Sequence, residues 1–535
     1  MVARSGSFPY FDTGAIRMPP TAFLPAFGIL PAFADLSEPV SGLDIPALAI
    51  GVPLLFGLAY LLVVLEEFTH MRKSKPVILA AGLIWVLIAA FPPTPPDSHR
   101  TASTETAAAE SGESDAATAP ADPAADGSPS AGAGSSQESR AFAGSAERTH
   151  SEAREAVGTA VRHYLMEYAE LFLFLLVAMT YVNAMEERKV FDVLRDKLIG
   201  SGLGYRSLFW ATGFIAFFLS PVLDNMTTAL VIFAALAAVG RENPRFIALG
   251  SINLVIAANA GGAFSPFGDI TTLMVWQSGK LPFFEFFALF LPSLVNFLVP
   301  AACMHFAVPQ GHPPAIEAPT RFRRGAVGVM VLFALTIVTA VSLHNFLHLP
   351  PVLGMMTGLA YLKLYAYYVT ITLRQDPAID KRDMEDVGPF DTFRLVARAE
   401  WDTLLFFYGV MLCVGGLGYV GYLQLAATTF YEGWGASAAN IAIGVLSAVV
   451  DNIPVMMAVL EMNPDMSDGQ WLLVTMTAGV GGSMLSIGSA AGVALMGQAR
   501  GIYTFGRHLM WTPAIVLGYA ASIWVHFLVN AHLFE

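Results

Sequence analysis

The sequence predicts an all-α polytopic membrane protein built around two re-entrant helical hairpins and two broken transmembrane helices. Three observations predict it. Of the 535 residues, 55% are hydrophobic and only 13% charged, and apolar runs repeatedly reach the roughly 20 residues that cross a bilayer. Two of those runs, Phe217 to Ala235 (FFLSPVLDNMTTALVIFAA) and Ser447 to Met457 (SAVVDNIPVMM), carry an Asp-Asn pair inside hydrocarbon-compatible sequence. Two others are interrupted by paired glycines, at Gly261-Gly262 and Gly481-Gly482. A carboxylate at bilayer depth costs several kcal/mol unless partnered, so each buried aspartate is a functional candidate, with helix capping as the bland alternative.

Composition excludes several classes. There is no basic stripe or recognition module, so no nucleic-acid partner is predicted. Cys303 and Cys413, the two cysteines, both lie in apolar runs and suggest neither a disulfide framework nor a thiolate metal site. The formal charge of −13 reflects in part a local acidic tract.

In chain order, residues 1–34 resemble a signal peptide: Arg4 and Arg17, a short apolar run, then Ala32-Phe33-Ala34. Pro19, Pro20, Pro25 and Pro31 keep an irregular leader as the alternative. Residues 35–91 hold two spans, about 45–65 and 77–91, joined by a loop whose His70, Arg72, Lys73 and Lys75 place it in the cytoplasm. The stretch 92–161, rich in Ala, Ser, Gly and Glu without apolar periodicity, is predicted to be a disordered external insert. A third span, about 165–184, leads to Arg188, Lys189, Arg195 and Lys197 on the inner side.

The first Asp-Asn run, within 208–239, is flanked by Arg206 before it and Arg241 and Arg245 after it. Entering and leaving on one side makes SPVLDN a hairpin tip, which is tolerated at that depth only where it lines a protein cavity. Residues 246–278 form one span broken at NAGGAFSPFGDITT, and a span at 283–306 returns to Arg321, Arg323 and Arg324. Residues 307–398 contribute two connecting spans, 327–347 and 351–370, and a charged cytoplasmic loop. A further span, 403–423, emerges outside. No Lys or Arg lies between Arg398 and Arg500, so the second hairpin, 438–460, is entered from the outer side. A second broken segment, 470–498, and a last span, 510–529, leave both termini outside.

Three features recur in order. Ala169-Glu170 is echoed by Ala399-Glu400, Ser220-x-Val-x-Asp224-Asn225 by Ser447-x-Val-x-Asp451-Asn452, and Gly261-Gly262-x5-Gly268 by Gly481-Gly482-x5-Gly488. With opposite flanking charges, residues 162–306 and 399–535 form an inverted-topology repeat, the architecture of secondary transporters that bind substrate at the midplane between broken helices.

These residues resemble the NhaD-type sodium/proton antiporters of the ion transporter superfamily. The resemblance runs over YLLVVLEEFTHMRKSKPV, YAELFLFLLVAMTYVNAMEER, FFLSPVLDNMTTAL, AANAGGAFSPFGDITTLMVWQ, SAVVDNIPVMMAVL and AGVGGSMLSIGSAAGVALMG, from about Tyr60 onward. It implies hairpins and broken helices, often a homodimer, and exchange of sodium or lithium for protons without a cofactor. It also implies an integral membrane protein, of a bacterial inner membrane, serving pH homeostasis and salt tolerance. The leader and the acidic insert depart from the pattern, and their role is left open.

Sodium is a hard cation that takes oxygen ligands. The first half offers Asp224, Asn225, Thr227, Thr228, Asn259, Ser265, Asp269, Thr271 and Thr272, and the second Ser447, Asp451, Asn452, Ser483, Ser486 and Ser489. Asp224, Asn225, Asp269 and Asp451 are the expected core of the sodium site. Roughly half of the hydroxyls are expected to bond back to helix carbonyls instead. Burial favours the protonated form of a carboxylate and a bound cation the ionised one, which is the minimal coupling an antiporter needs. Outside the hairpins, His163 and Glu170, favoured by the resemblance, share a helix face with Glu167 and are candidates for proton relay or pH sensing. Glu66 and Glu67 are either a further relay or a solvated helix end.

Two alternatives stand. One is an anion carrier of the same architecture, for arsenite or sodium-coupled carboxylates; three aspartates with no intramembrane Lys or Arg beside them would repel an anion, though not neutral arsenite. The other is an intramembrane aspartyl protease using Asp224 and Asp269, for which the second hairpin would be redundant.

Overall fold

The computed structural model describes residues 45–65, 71–93, 134–240, 243–312, 320–375 and 390–535, and in these every regular element is a helix. The leader 1–34, Glu66, Glu67 and His70 lie outside the described residues. In order, the helices are α1 (Pro46–Val64), α2 (Ser74–Ala90), α3 (Gly134–Glu187), α4 (Val190–Ile199), α5 (Tyr205–Leu219), α6 (Asn225–Val239), α7 (Pro244–Gly262) and α8 (Ile270–Gln277). A 3-10 turn, Phe283–Leu289, leads into α9 (Phe290–His305), followed by α10 (Ala326–Leu347), α11 (Pro351–Gln375), α12 (Thr392–Ala397) and α13 (Trp401–Val420). The last third holds α14 (Tyr422–Ala427), α15 (Ala436–Leu446), α16 (Asn452–Met462), α17 (Asp468–Gly481), α18 (Ala490–Gln498), α19 (Phe505–Leu509) and α20 (Thr512–Val529).

Seven helices among the described residues are long and apolar enough to cross a membrane. Their burial separates centre from periphery: 94% of Pro244–Gly262 is buried, against 22% of Pro46–Val63 and 28% of Ala326–Leu347. Exposed Ile50, Leu54 and Leu58 on α1 and Val327, Val331 and Val338 on α10 give those helices the bare apolar faces that hydrocarbon tolerates and water does not. The helix α7, with Asn253 and Asn259 fully buried, runs through the middle.

The polar interruptions break helices where the sequence places them. α5 and α6 are joined through Ser220–Asp224, and α15 and α16 through Ser447–Asp451. α7 stops at Gly262 and α8 restarts at Ile270; α17 stops at Gly481 and α18 restarts at Ala490. Aspartate is a favoured N-cap because its carboxylate accepts an otherwise orphaned N–H. Asp224 does so from Thr227 N at 2.8 Å and Asp269 from Thr271 N at 3.1 Å.

Two contacts recur between the first and last parts of the chain. Ser220 Oγ donates to Ala258 O at 2.6 Å, and its counterpart Ser447 Oγ donates to Ala478 O at 2.7 Å. A Cβ on Gly261 would lie 2.2 Å from Phe217 O, and one on Gly481 would lie 2.1 Å from Gly444 O. Those glycines let a helix of each pair cross its broken helix backbone to backbone. α5 and α6 pack on α7, and α15 packs on α17. The halves also interlock, with α6 against α18 and α16 against α8.

One expectation is corrected. The tract expected to lack structure through residue 161 is helical from Gly134, continuous with the span that follows. Extending an existing helix costs far less than nucleating one, and the Ala-, Glu- and Arg-rich sequence before the span has good helix propensity.

Candidate functional site

The breaks in both halves meet around Asp269. It caps α8, and its side chain is 4% exposed. Asn225, the first residue of α6, donates from Nδ2 to Asp269 Oδ2 at 3.0 Å and to Asn259 Oδ1 at 3.0 Å. Asn452, the first residue of α16, donates to Asp269 Oδ2 at 3.0 Å and Oδ1 at 3.2 Å. Asn259, on the last turns of α7, donates to Ser483 Oγ at 2.8 Å and Ser489 Oγ at 2.9 Å across the second break. Six side chains from four interruptions thus form one hydrogen-bonded network with a single carboxylate at its centre.

Helix ends explain the charge placement. Asp224, Asp269 and Asp451 each precede the first residue of a helix, where the positive end of the macrodipole favours an anion. The C-terminal ends of α7 and α17 come to the same region, where partial negative charge favours a cation.

The other predicted residues divide clearly. Thr228 Oγ1 points to Leu223 O, Ser265 Oγ to Pro221 O, Thr272 Oγ1 to Ser265 O and Asp269 O, and Ser447 Oγ to Ala478 O. These hydroxyls serve the backbone, as the general habit of Ser and Thr in membrane helices anticipates. Ser486 turns to Met496 Sδ at 3.4 Å. Thr227 Oγ1 donates to Asp224 Oδ2 at 2.5 Å, so both oxygens of Asp224 are engaged by one residue. Thr271 Oγ1 is buried next to Asp269 with no hydrogen-bond partner.

The three aspartates do not converge as one ligand set; no group of three His, Cys, Asp or Glu suited to a metal ion occurs among the described residues. Asp224 is half-buried between two spaces. One of about 290 Å³ is lined also by Glu186, Arg195, Arg398 and Glu400. The other, about 60 Å³, is lined also by Lys73, Asn225, Asp269 and Asn452. The smaller is several times the roughly 10–15 Å³ that one water needs.

Asp451 points elsewhere. Its Oδ2 lies 3.8 Å from Lys73 Nζ, its Oδ1 is unpartnered, and its N–H donates to Tyr60 Oη at 3.2 Å. The premise that no Lys or Arg stands beside the aspartates is therefore wrong. Lys73 counted toward a cytoplasmic loop from its flanking charges, but it lines the cavity itself. His163 and Glu170 do not line either space; His163 Nε2 pairs with Glu167 Oε1 at 3.2 Å on the exposed side of α3.

Sequence reasoning missed Lys73, Tyr60 and Gly479. A Cβ on Gly479, in α17, would stand 3.6 Å from Asp269 Oδ2 and 3.7 Å from Thr271 Oγ1. Nothing distinguishes Gly479 locally from other helix glycines. Glu400 was visible in the repeat but not assigned to the site.

The chain is similar to known membrane transporters over most of its length. The family model described as citrate transporter (CitMHS) matches residues 14–479. The Na(+)/H(+) antiporter NhaD of Alkalimonas amylolytica is 50% identical over 519 residues, covering 94% of this chain and 95% of that protein. The Na(+)/H(+) antiporter NhaD of Vibrio cholerae is 51% identical, covering 90% of this chain and 92% of its own length. Sodium/proton antiporter 1 of Arabidopsis thaliana is 32% identical over 70% of this chain and 64% of that protein. Half-identity over nine-tenths of both lengths places the chain in a definite group: it belongs to the NhaD family of Na+/H+ antiporters, within the citrate-transporter family.

Proposed function

We propose that this integral membrane protein exchanges sodium for protons, with Asp269 as the carboxylate that the two share. The observation carrying the reading is the contact of Asn225 and Asn452, from the tips of both helix pairs, with one buried aspartate. The chain is a transporter rather than an enzyme, like its relatives.

Sodium binding needs oxygen donors, and the amides around Asp269 can supply them. An asparagine that donates to a carboxylate presents its Oδ1 to a cation after a half-turn of the amide. Asn225, Asn452, Asn259, the unpartnered Thr271 hydroxyl and Asp269 then form an all-oxygen set. A proton on Asp269 removes the charge that holds sodium, and sodium keeps Asp269 ionised, so each expels the other. The matching contacts of the two halves support an inverted repeat in which each helix pair is a re-entrant hairpin, one per side. Rocking of the interlocked halves would then expose Asp269 alternately, Asp224 and Glu400 lining the approach through the larger cavity. Lithium, equally hard, is a second cargo. A homodimer, external termini and a role in salt tolerance and pH homeostasis complete the proposal.

The citrate reading has one observation in its favour, the ammonium of Lys73 in the cavity, but Asp224 and Asp269 line the same space. The test is proton flux in inside-out vesicles challenged in turn with sodium, lithium, potassium, citrate and arsenite. Dissipation of a preformed pH gradient by sodium and lithium alone is the expected result. A response to citrate or arsenite with none to sodium would overturn the reading.

A further inference from the structure

Lys73 has no part in the exchange scheme above, and its position calls for an explanation. It precedes the first residue of α2, where the helix macrodipole disfavours a cation. Its Nζ lies over the Phe406 ring, 4.6 Å from the centroid, and 3.8 Å from Asp451 Oδ2, with the two side chains only 17% and 14% exposed. At that distance the pair is chiefly a charge contact, and Asp451 Oδ1 makes no hydrogen bond of ordinary geometry. The ionisable groups of the surrounding elements are Tyr60 on α1, whose hydroxyl accepts from Asp451 N, Asp402 on α13, which accepts from Ser74 Oγ, and Glu400 at the start of α13. Asp224 and Asp269 share the 60 Å³ space with Lys73. α2 packs against α1 and α13, so the ammonium is delivered by helices outside both helix pairs and both breaks.

The geometry points to Lys73 as a tethered cation that occupies Asp451 and thereby confines the exchangeable ion to Asp269. An ammonium and a sodium ion compete for the same carboxylate, and Lys73, being attached, is present at fixed local concentration. The second half then contributes its amide, Asn452, to the ion site while its carboxylate is held back. The site carries one anionic charge fewer than its three aspartates suggest, which lowers sodium affinity to a level compatible with release. Lys73 is on this view a positioning and affinity-setting residue. The inference rests on the sodium/proton reading and deepens it.

The test uses the full chain in proteoliposomes, measuring half-saturating sodium and maximal rate at one fixed alkaline pH. Lys73→Gln is expected to lower half-saturating sodium several-fold and to slow the maximal rate, because the freed Asp451 holds the ion. Lys73→Arg keeps the charge and should retain the wild-type half-saturation. Adding Asp451→Asn to Lys73→Gln should reverse the gain in affinity. An unchanged or raised half-saturation in Lys73→Gln, a Lys73→Arg variant behaving like Lys73→Gln, or a double variant that keeps the gain would each overturn the inference. Should Lys73→Gln fail to reach the membrane, the double variant decides: removing one partner of a buried pair is far more destabilising than removing both. Its recovery in the membrane supports the pair, and its loss contradicts it. Wild-type protein that does not respond to sodium would refute the exchange reading itself, whereas wild-type exchange with an unshifted Lys73→Gln would refute only this inference.

Discussion

Asn452 Nδ2 stands 3.0 Å from Asp269 Oδ2, joining the first residue of a helix in the second half to a carboxylate that caps a helix in the first. Asn225 makes the matching contact from its own half at the same distance. Once the amides turn, each presents its Oδ1 to the ion instead, and a polar contact with a charged group contributes about 1.5–3 kcal/mol, which corresponds to roughly tenfold or more in a binding constant. Asn452→Ala and Asn225→Ala should each raise half-saturating sodium by about tenfold or more by that estimate. Sodium titration of exchange in vesicles checks this, and equal affinity in both variants and wild type would contradict it.

Asp224 has two separable roles. Its cap on Thr227 N survives in Asp224→Asn, since an amide oxygen caps nearly as well, but the charge at the cavity is lost. That variant should accumulate in the membrane normally and exchange more slowly than wild type by about tenfold or more, an order set by loss of one charged contact. Asp224→Ala should in addition lose about 1 kcal/mol of stability, read as a lower melting temperature in detergent.

The glycine crossings test the correspondence between the halves. In Gly261→Ala the new methyl meets Phe217 O at 2.2 Å, and in Gly481→Ala it meets Gly444 O at 2.1 Å. Both obstacles are backbone, so neither can swing aside. Each substitution should cost about 1–3 kcal/mol or more, as overpacking does, and the two should lower the melting temperature by similar amounts.

Gly479 offers the opposite case. A methyl there fits at ordinary contact distance, 3.6 Å from Asp269 Oδ2, but takes room from the ion. Gly479→Ala should leave the melting temperature near wild type while raising half-saturating sodium. A variant with unchanged sodium dependence would show that the space beside Asp269 is not where the ion sits.

The legible parts of the sequence are those with a local signal. An Asp-Asn pair or a Gly-Gly pair inside an apolar run stands out without knowledge of any partner, and Asp224, Asp269, Asp451, Gly261 and Gly481 all lie at helix interruptions as their sequence context requires. The network residues Asn225, Asn259, Asp269, Asn452, Ser483 and Ser489 were all legible as candidates. Which serine or threonine faces the cavity was not, because a hydroxyl chooses between a carbonyl one turn back and a distant partner by rotamer alone. Lys73 was misread because a cation near other cations at a span end is ordinarily a topology marker; its partner Asp451 lies far along the chain. Gly479 was invisible because its importance is an absence of side chain opposite Asp269. The helical stretch from Gly134 to the third span was hidden by a low-hydropathy composition that also suits disorder.

The most direct test of Asp269 as the shared carboxylate is a comparison of wild type and Asp269→Asn purified into proteoliposomes with a lumenal pH dye. An imposed sodium gradient should drive proton movement against it in the wild type. In Asp269→Asn, present in the bilayer at the same level, sodium should elicit no proton movement at any pH. Sodium-driven proton flux at the wild-type rate in Asp269→Asn would contradict the account.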